Sequence, residues 1–178
     1  MNDKVFNNYS KFYDIFYKDK DYIGETNYLL NLFRKYKLSK NELLEFGSGT
    51  GKHGRLLAEA GYLVHGIEKS KKMISLAEQG NGFTCEEGDI CSLSLGKKFD
   101  SIFSLFHVMS YQTTNSQINQ VFKSAGTHLN KDGLFIFDAW YTPGVHYNQP
   151  TVRYKNIRYE NFEIFRIAEP TNRINSNI

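Results

Sequence analysis

Leu43-Leu44-Glu45-Phe46-Gly47-Ser48-Gly49-Thr50-Gly51-Lys52-His53-Gly54 is the stretch that decides the fold. Its opening residues read as a short strand, and residues 52–60 as a helix that Gly61 ends. Between them stand three alternate glycines. Glycine belongs there because a ligand can approach the backbone with no Cβ in the way, and because the turn calls for positive φ. The helix start just beyond offers unpaired N–H groups. A tight strand-to-helix turn without a ligand is the bland alternative.

Working outward, strands and helices alternate. Residues 62–67 predict a strand, residues 70–79 a helix with Ser70 as N-cap, and residues 83–87 a weak strand. Residues 99–106 predict a buried strand, residues 116–129 a helix, and residues 134–138 a strand after the Lys131-Asp132-Gly133 turn. Upstream, residues 21–38 predict an amphipathic helix with Ile23, Leu29, Leu30, Leu32, Phe33, Tyr36 and Leu38 on its apolar stripe. Phe6, Tyr9, Phe12, Tyr13, Phe16 and Tyr17 fall partly at helical spacing. The alternation predicts an α/β fold, a mostly parallel sheet with helices on both faces. After Pro143 the character changes, and residues 151–168 predict an antiparallel excursion rather than another βα unit.

The chain has 178 residues, enough for one domain, and is 40% hydrophobic and 23% charged, so it can bury a core. Its net charge of +3 comes with no dense Lys/Arg stripe, which argues against a dedicated nucleic-acid binder. Cys85 and Cys91 make no disulfide framework, and with Asp89 and His107 they lack metal-ligand spacing, so no metal is expected. The polar N-terminus does not read as a signal peptide, and no apolar run approaches the roughly 18 residues of a membrane span. These features lead to the expectation of a cytoplasmic protein in a reduced compartment.

Two cofactor classes use such a glycine loop. Gly49-x-Gly51-x-x-Gly54, with Glu68 standing 19 residues after Gly49, satisfies the dinucleotide pattern of an NAD-linked oxidoreductase. That frame is poor, because the first glycine after the strand is Gly47 and the acidic Glu45 sits where a dinucleotide fold keeps an apolar residue. Read as apolar-apolar-acid-x-Gly-x-Gly-x-Gly, Leu43 to Gly51 resembles the first motif of class I S-adenosylmethionine-dependent methyltransferases. The match continues in order over about residues 9–143. The resemblance implies that the backbone of Gly47, Gly49 and Gly51 passes under the methionine part of S-adenosylmethionine and that Glu45 helps fix its amino group. It also implies that Glu68 accepts from the ribose hydroxyls, for which a carboxylate's two oxygens suit two adjacent donors. Met73 and Ile90 would pack near the adenine, Asp89 would accept from its amine, and Leu105 and Phe106 would lie over the sulfur. Tyr13, Tyr22 and Lys69 count with the cofactor contacts, although Lys69, Lys71 and Lys72 by themselves read as a solvated helix face. His53 would reach the cofactor carboxylate or cap the helix start, while His65 and His128 read as structural.

Tyr13-Asp14-Ile15-Phe16-Tyr17 and Asp138-Ala139-Trp140-Tyr141-Thr142-Pro143 together resemble N-methyltransferases acting on amino groups of nucleotide-linked deoxysugars, whose first helices form a lid. The resemblance implies a small-molecule acceptor, with Trp140 and Tyr141 enclosing the sugar. Tyr17, His107 and Tyr111 are the candidates for the chemistry, since an amine must lose a proton before it attacks. His107 can accept one near neutral pH, whereas the family's assigned histidine falls at Tyr111 here. Arg153, Lys155 and Arg158 follow the substrate-side loop and would meet an anionic diphosphate. A methyltransferase-like binding protein without turnover is the remaining alternative.

The organisation expected is a helical lid over residues 1–40, a cofactor-binding core over 41–143, and a β-rich substrate-side or dimerisation segment over 144–178. The resembled fold has seven strands in the order 3-2-1-4-5-7-6. Five parallel strands can be placed by Asp138, and the closing pair is missing, so the fifth strand is expected to be an apolar sheet edge. A truncated chain, cover by residues 151–168, or a homodimer would each account for it.

Overall fold

The computed structural model describes Ser10 and residues 12–38, 41–159 and 162–171. Phe6, Tyr9 and residues 172–178 lie outside the described residues. β1 (Glu42–Phe46) is the middle of a five-stranded parallel sheet of order β3-β2-β1-β4-β5, with β2 (Leu63–Glu68), β3 (Phe83–Glu87), β4 (Phe99–Ser104) and β5 (Leu129–Phe137). Alternation along β1 divides its side chains between two cores. Leu43 joins Leu29 and Phe33 of α2 (Tyr22–Lys35) and Leu57 of α3 (Lys52–Glu59). Leu44 and Phe46 join Val121 and Ala125 of α5 (Asn115–His128) on the other face. A strand buried on both faces is what a parallel sheet requires. The same parity sends Glu45 to the Leu43 face, beneath α3.

The chain runs outward from β1 through β2 to β3, then returns to β4 and continues to β5. Strand order therefore reverses between β1 and β4, and the crevice beyond their C-terminal ends is where such sheets bind ligands. α1, residues 12–16, and α2 cover that end.

Several expectations need correction. The helix predicted over 70–79 is only α4 (Lys71–Ile74): Ser70 does accept from Met73 N–H, but the Ser75 hydroxyl donates back to Lys72 O and Gln79 Oε1 accepts from Cys85 N–H. Side-chain bonds of this kind compete with helix continuation. β5 begins at Leu129 rather than Leu134, because the Lys131-Asp132-Gly133 turn is absorbed as a register shift against β4. On α2 the buried stripe is Thr26, Leu29 and Phe33, whereas Ile23 and Tyr36 are exposed.

β6 (Arg153–Tyr159) and β7 (Phe162–Ala168) form a separate antiparallel pair, so residues 151–168 do not cover β5 by strand pairing. Among the described residues β5 pairs only with β4, and Phe135 and Phe137 on it pack against Phe122 of α5. The β6–β7 pair rests on α1. Lys155 Nζ donates to Phe16 O at 2.6 Å, Phe162 meets the Phe12 ring, and the Arg166 guanidinium lies over Phe16. Tyr154, Phe165 and Ile167, on the opposite face, are exposed. Among the described residues no helix is long and apolar enough to cross a membrane, and no cluster of His, Cys, Asp and Glu could hold a metal ion.

Candidate functional site

The glycine loop turns tightly onto β2. Gly47 and Ser48 both donate their N–H to Ile67 O, and Gly47, Gly49 and Gly51 all take positive φ, at 72°, 56° and 78°. These three differ in what surrounds them. A Cβ on Gly51 would lie 2.4 Å from the Phe83 ring, whereas a Cβ on Gly49 would meet nothing within 4 Å. Gly49 thus presents bare backbone to open space.

Three carboxylates surround the loop. Glu68, at the end of β2, accepts from Gly49 N–H at 2.9 Å and from Ser70 N–H at 2.8 Å, tying the loop to the start of α4. Glu45 is 2% exposed, and its Oε2 has no hydrogen-bond partner among the described residues. Burial and the nearby Glu68 charge push its carboxyl well above the usual range, against the pull of the Gly54 N–H. Asp89 pairs with Lys69 Nζ at 2.9 Å, and that hydrogen bond holds its carboxyl below the usual range. Met73 and Ile90 are buried nearby in sequence to these acids.

Residues 13–25 meet the loop through polar and aromatic contacts. Thr50 Oγ1 donates to Asp14 Oδ1 at 2.8 Å, and Lys52 Nζ lies 3.3 Å from Asp14 Oδ2. Tyr13 and Tyr17 pack one helical turn apart with their rings tilted by 54°, and the Tyr17 and Phe106 rings meet edge-to-face at 4.8 Å. Lys20 sits over the Phe106 and Tyr22 rings and pairs with Glu25. His53 does not cap the start of α3; its Nε2 pairs with Glu25 Oε2 at 2.7 Å. Burial lowers the His53 pKa despite that partner. For Glu25, burial pushes up, but the hydrogen bonds from Lys20 and His53 outweigh it and the net shift is down. Burial raises the Tyr22 and Tyr111 hydroxyls.

Beyond β4 the chain makes an unusual turn. Phe106 and His107 are consecutive non-glycine residues at positive φ, and their N–H groups both donate to the Asp138 carboxylate, at 3.0 and 2.7 Å. The His107 ring stacks on Trp140 with centroids 4.7 Å apart. Tyr141 is exposed, and Leu105 faces a cavity of about 480 Å³ between α2 and the ends of β4 and β5. Asp21, Glu25 and Asp138 supply its acidic wall.

Among the sequence-predicted arginines, Arg158 points outward and pairs with Glu163, and Arg153 begins the same strand, exposed. Arg166 instead faces the lid, where it donates to Tyr17 Oη at 3.4 Å. Sequence reasoning missed Asp14, Glu25, Asp138 and Arg166 as site residues. A signal existed for Asp138, since it ends an apolar strand as Glu45 and Glu68 do.

A methyltransferase-domain family model matches residues 43–133, from β1 through the turn that opens β5. The chain belongs to this family. S-adenosylmethionine is the cofactor that this membership supports. The chain is 28% identical over 137 residues to the dTDP-3-amino-3,6-dideoxy-alpha-D-glucopyranose N,N-dimethyltransferase of Streptomyces fradiae, a match covering 75% of this chain and 54% of that protein. It thus spans about half the length of the curated relatives it matches. Among solved structures it superposes on DesVI of Streptomyces venezuelae with a TM-score of 0.75 and 26% identity, covering 87% of this chain and 66% of that one. The sugar N-methyltransferase KedS8 from Streptoalloteichus sp. shares the fold, with a TM-score of 0.80 at 24% identity, over 92% of this chain and 68% of that one.

Proposed function

We propose that this methyltransferase-family chain binds S-adenosylmethionine across the glycine loop and transfers its methyl group to the amine of a small molecule, with nucleotide-linked amino sugars as the acceptor class. The observation that carries the reading is the open backbone of Gly49, flanked by the buried, half-satisfied Glu45 and by Glu68, at the point where strand order reverses. A buried carboxyl lacking one partner suits an ammonium group, and a carboxylate at the end of β2 suits a pair of hydroxyls. When bound, the cofactor supplies an electrophilic methyl group on a sulfonium. The chain's own residues do the rest. Glu45, Glu68 and Asp89 orient the cofactor; Tyr13, Tyr17 and Phe106 exclude water above it. The acid-walled cavity beside Asp138 draws in a cationic amine, and Trp140 and Tyr141 border the acceptor side. His107 or Tyr111 takes the amine proton.

The anionic arm of the acceptor falls to Lys155 and Arg166, which contact Phe16 and Tyr17, rather than to Arg158 on the opposite face of the hairpin. The relatives support the acceptor class: the Streptomyces fradiae protein is named for a dTDP-linked amino sugar. The NAD-linked reading is disfavoured by Glu45, an acid buried beneath the loop where a dinucleotide fold keeps an apolar residue, and by the methyltransferase-family match over residues 43–133.

An acceptor screen with labelled S-adenosylmethionine tests the proposal, starting from nucleotide-linked amino sugars. Label transfer to an amine is expected, with Arg166→Ala raising KM for a diphosphate-bearing acceptor about tenfold while cofactor affinity holds. NAD binding without S-adenosylmethionine binding would overturn the reading, and cofactor binding without turnover on any amine or hydroxyl would leave a binding protein.

A further inference from the structure

The Phe106–His107 turn is held by a single side chain. Two successive L-residues in the left-handed region are disfavoured by roughly 1–2 kcal/mol each. The Asp138 carboxylate offsets this by accepting both N–H groups, Oδ2 from Phe106 and Oδ1 from His107. The turn directs Phe106 to the lid tyrosines and His107 to Trp140. The His107 ring is then oriented by two groups. Trp140 stacks on its face at an interplanar angle of 26°, and its buried Nδ1 lies 3.8 Å from Asp138 Oδ2 with no hydrogen-bond partner among the described residues.

We infer that Asp138 is a positioning residue for proton transfer: it selects the Nδ1–H tautomer of His107 and so leaves Nε2 as the atom that takes the acceptor's proton. A neutral imidazole carries one ring proton, and its position is set by what the ring faces. A lone pair on Nδ1 would point at carboxylate oxygen and be repelled, whereas a proton there is attracted. The ammonium form of the acceptor gives a proton to Nε2, the pair of the broken N–H bond stays on nitrogen for attack on the methyl carbon, and the resulting imidazolium presents Nδ1–H to Asp138. The inference rests on the amine-methylation reading, but its test needs neither cofactor nor acceptor.

That test is the long-range ¹H–¹⁵N correlation spectrum of the histidine rings in the 178-residue chain, above the pH at which imidazoles protonate. The His107 signals are those lost in His107→Gln. Protonation at Nδ1 is expected in the unsubstituted protein. Asp138→Asn replaces one acceptor oxygen with a donor and is expected to move the proton to Nε2. An Nε2–H tautomer in the unsubstituted protein overturns the inference, as does an unchanged tautomer in a folded Asp138→Asn protein. If that variant fails to fold, the unsubstituted spectrum decides alone. Failure of the acceptor screen leaves this spectrum unaffected, so the two readings fail separately.

Discussion

Gly49→Ala and Gly51→Ala add the same methyl group two residues apart, and the structure assigns them opposite consequences. Both glycines have positive φ, so an L-residue at either costs roughly 1–2 kcal/mol of backbone strain. At Gly49 nothing lies within 4 Å of the new Cβ, and the strain is the whole cost. In a chain of 178 residues that corresponds to a melting shift of about 2–8 °C. At Gly51 the Cβ would sit 2.4 Å from the fully buried Phe83 ring, and overpacking adds about 1–3 kcal/mol. Binding follows the reverse order. The Gly49 methyl occupies the open approach to the loop, and we expect it to weaken S-adenosylmethionine binding at least about tenfold, or ~1.4 kcal/mol. Calorimetric titration with the cofactor and thermal melting of both variants give the two orderings. A Gly49→Ala protein that binds normally, or that melts as low as Gly51→Ala, would refute the assignment of open backbone to the cofactor.

Glu45→Gln separates the carboxyl's structural cost from its binding role. A raised folded-state pKa means that the native chain holds a proton the unfolded chain has lost, so stability falls as pH rises from the ordinary carboxylate range through the folded value. Glutamine should therefore stabilise the chain at neutral to alkaline pH by about 1–3 kcal/mol, with the gain vanishing near pH 4, while cofactor affinity drops. Melting curves across pH check the first part, and equal Tm differences at all pH values would contradict it. Asp14→Ala removes the acceptor for Thr50 and Lys52. Its side chain is part-exposed, so the stability cost should stay within about 1 kcal/mol. Loosening of the lid should show as faster cofactor dissociation in stopped-flow measurements, and an unchanged off-rate would remove Asp14 from the lid contacts.

What the sequence disclosed follows the range of the interactions involved. The strand–glycine loop–helix at residues 43–54 is written in local residue chemistry. α4 fell short of its predicted length because Ser75 and Gln79 spend their side chains on backbone groups, an outcome that periodicity does not encode. Arg158 and Arg166 differ by which face of β6–β7 they occupy. A register change of one residue exchanges those faces, and composition does not set it. Asp14 and Asp138 escaped notice because their partners lie 36 and about 30 residues away and are, for Asp138, backbone N–H groups that carry no residue identity.

The seating of β6–β7 on α1 has a consequence for engineering. Its contacts through Lys155, Phe162 and Arg166 run to Phe12, Phe16 and Tyr17, whereas the glycine loop, Glu45 and Glu68 belong to the sheet. Lid and hairpin therefore form a graftable unit. Exchanging them together preserves their mutual contacts, with Asp14 retained so that its ties to Thr50 and Lys52 of the glycine loop survive, and exchanging either alone breaks the join between them.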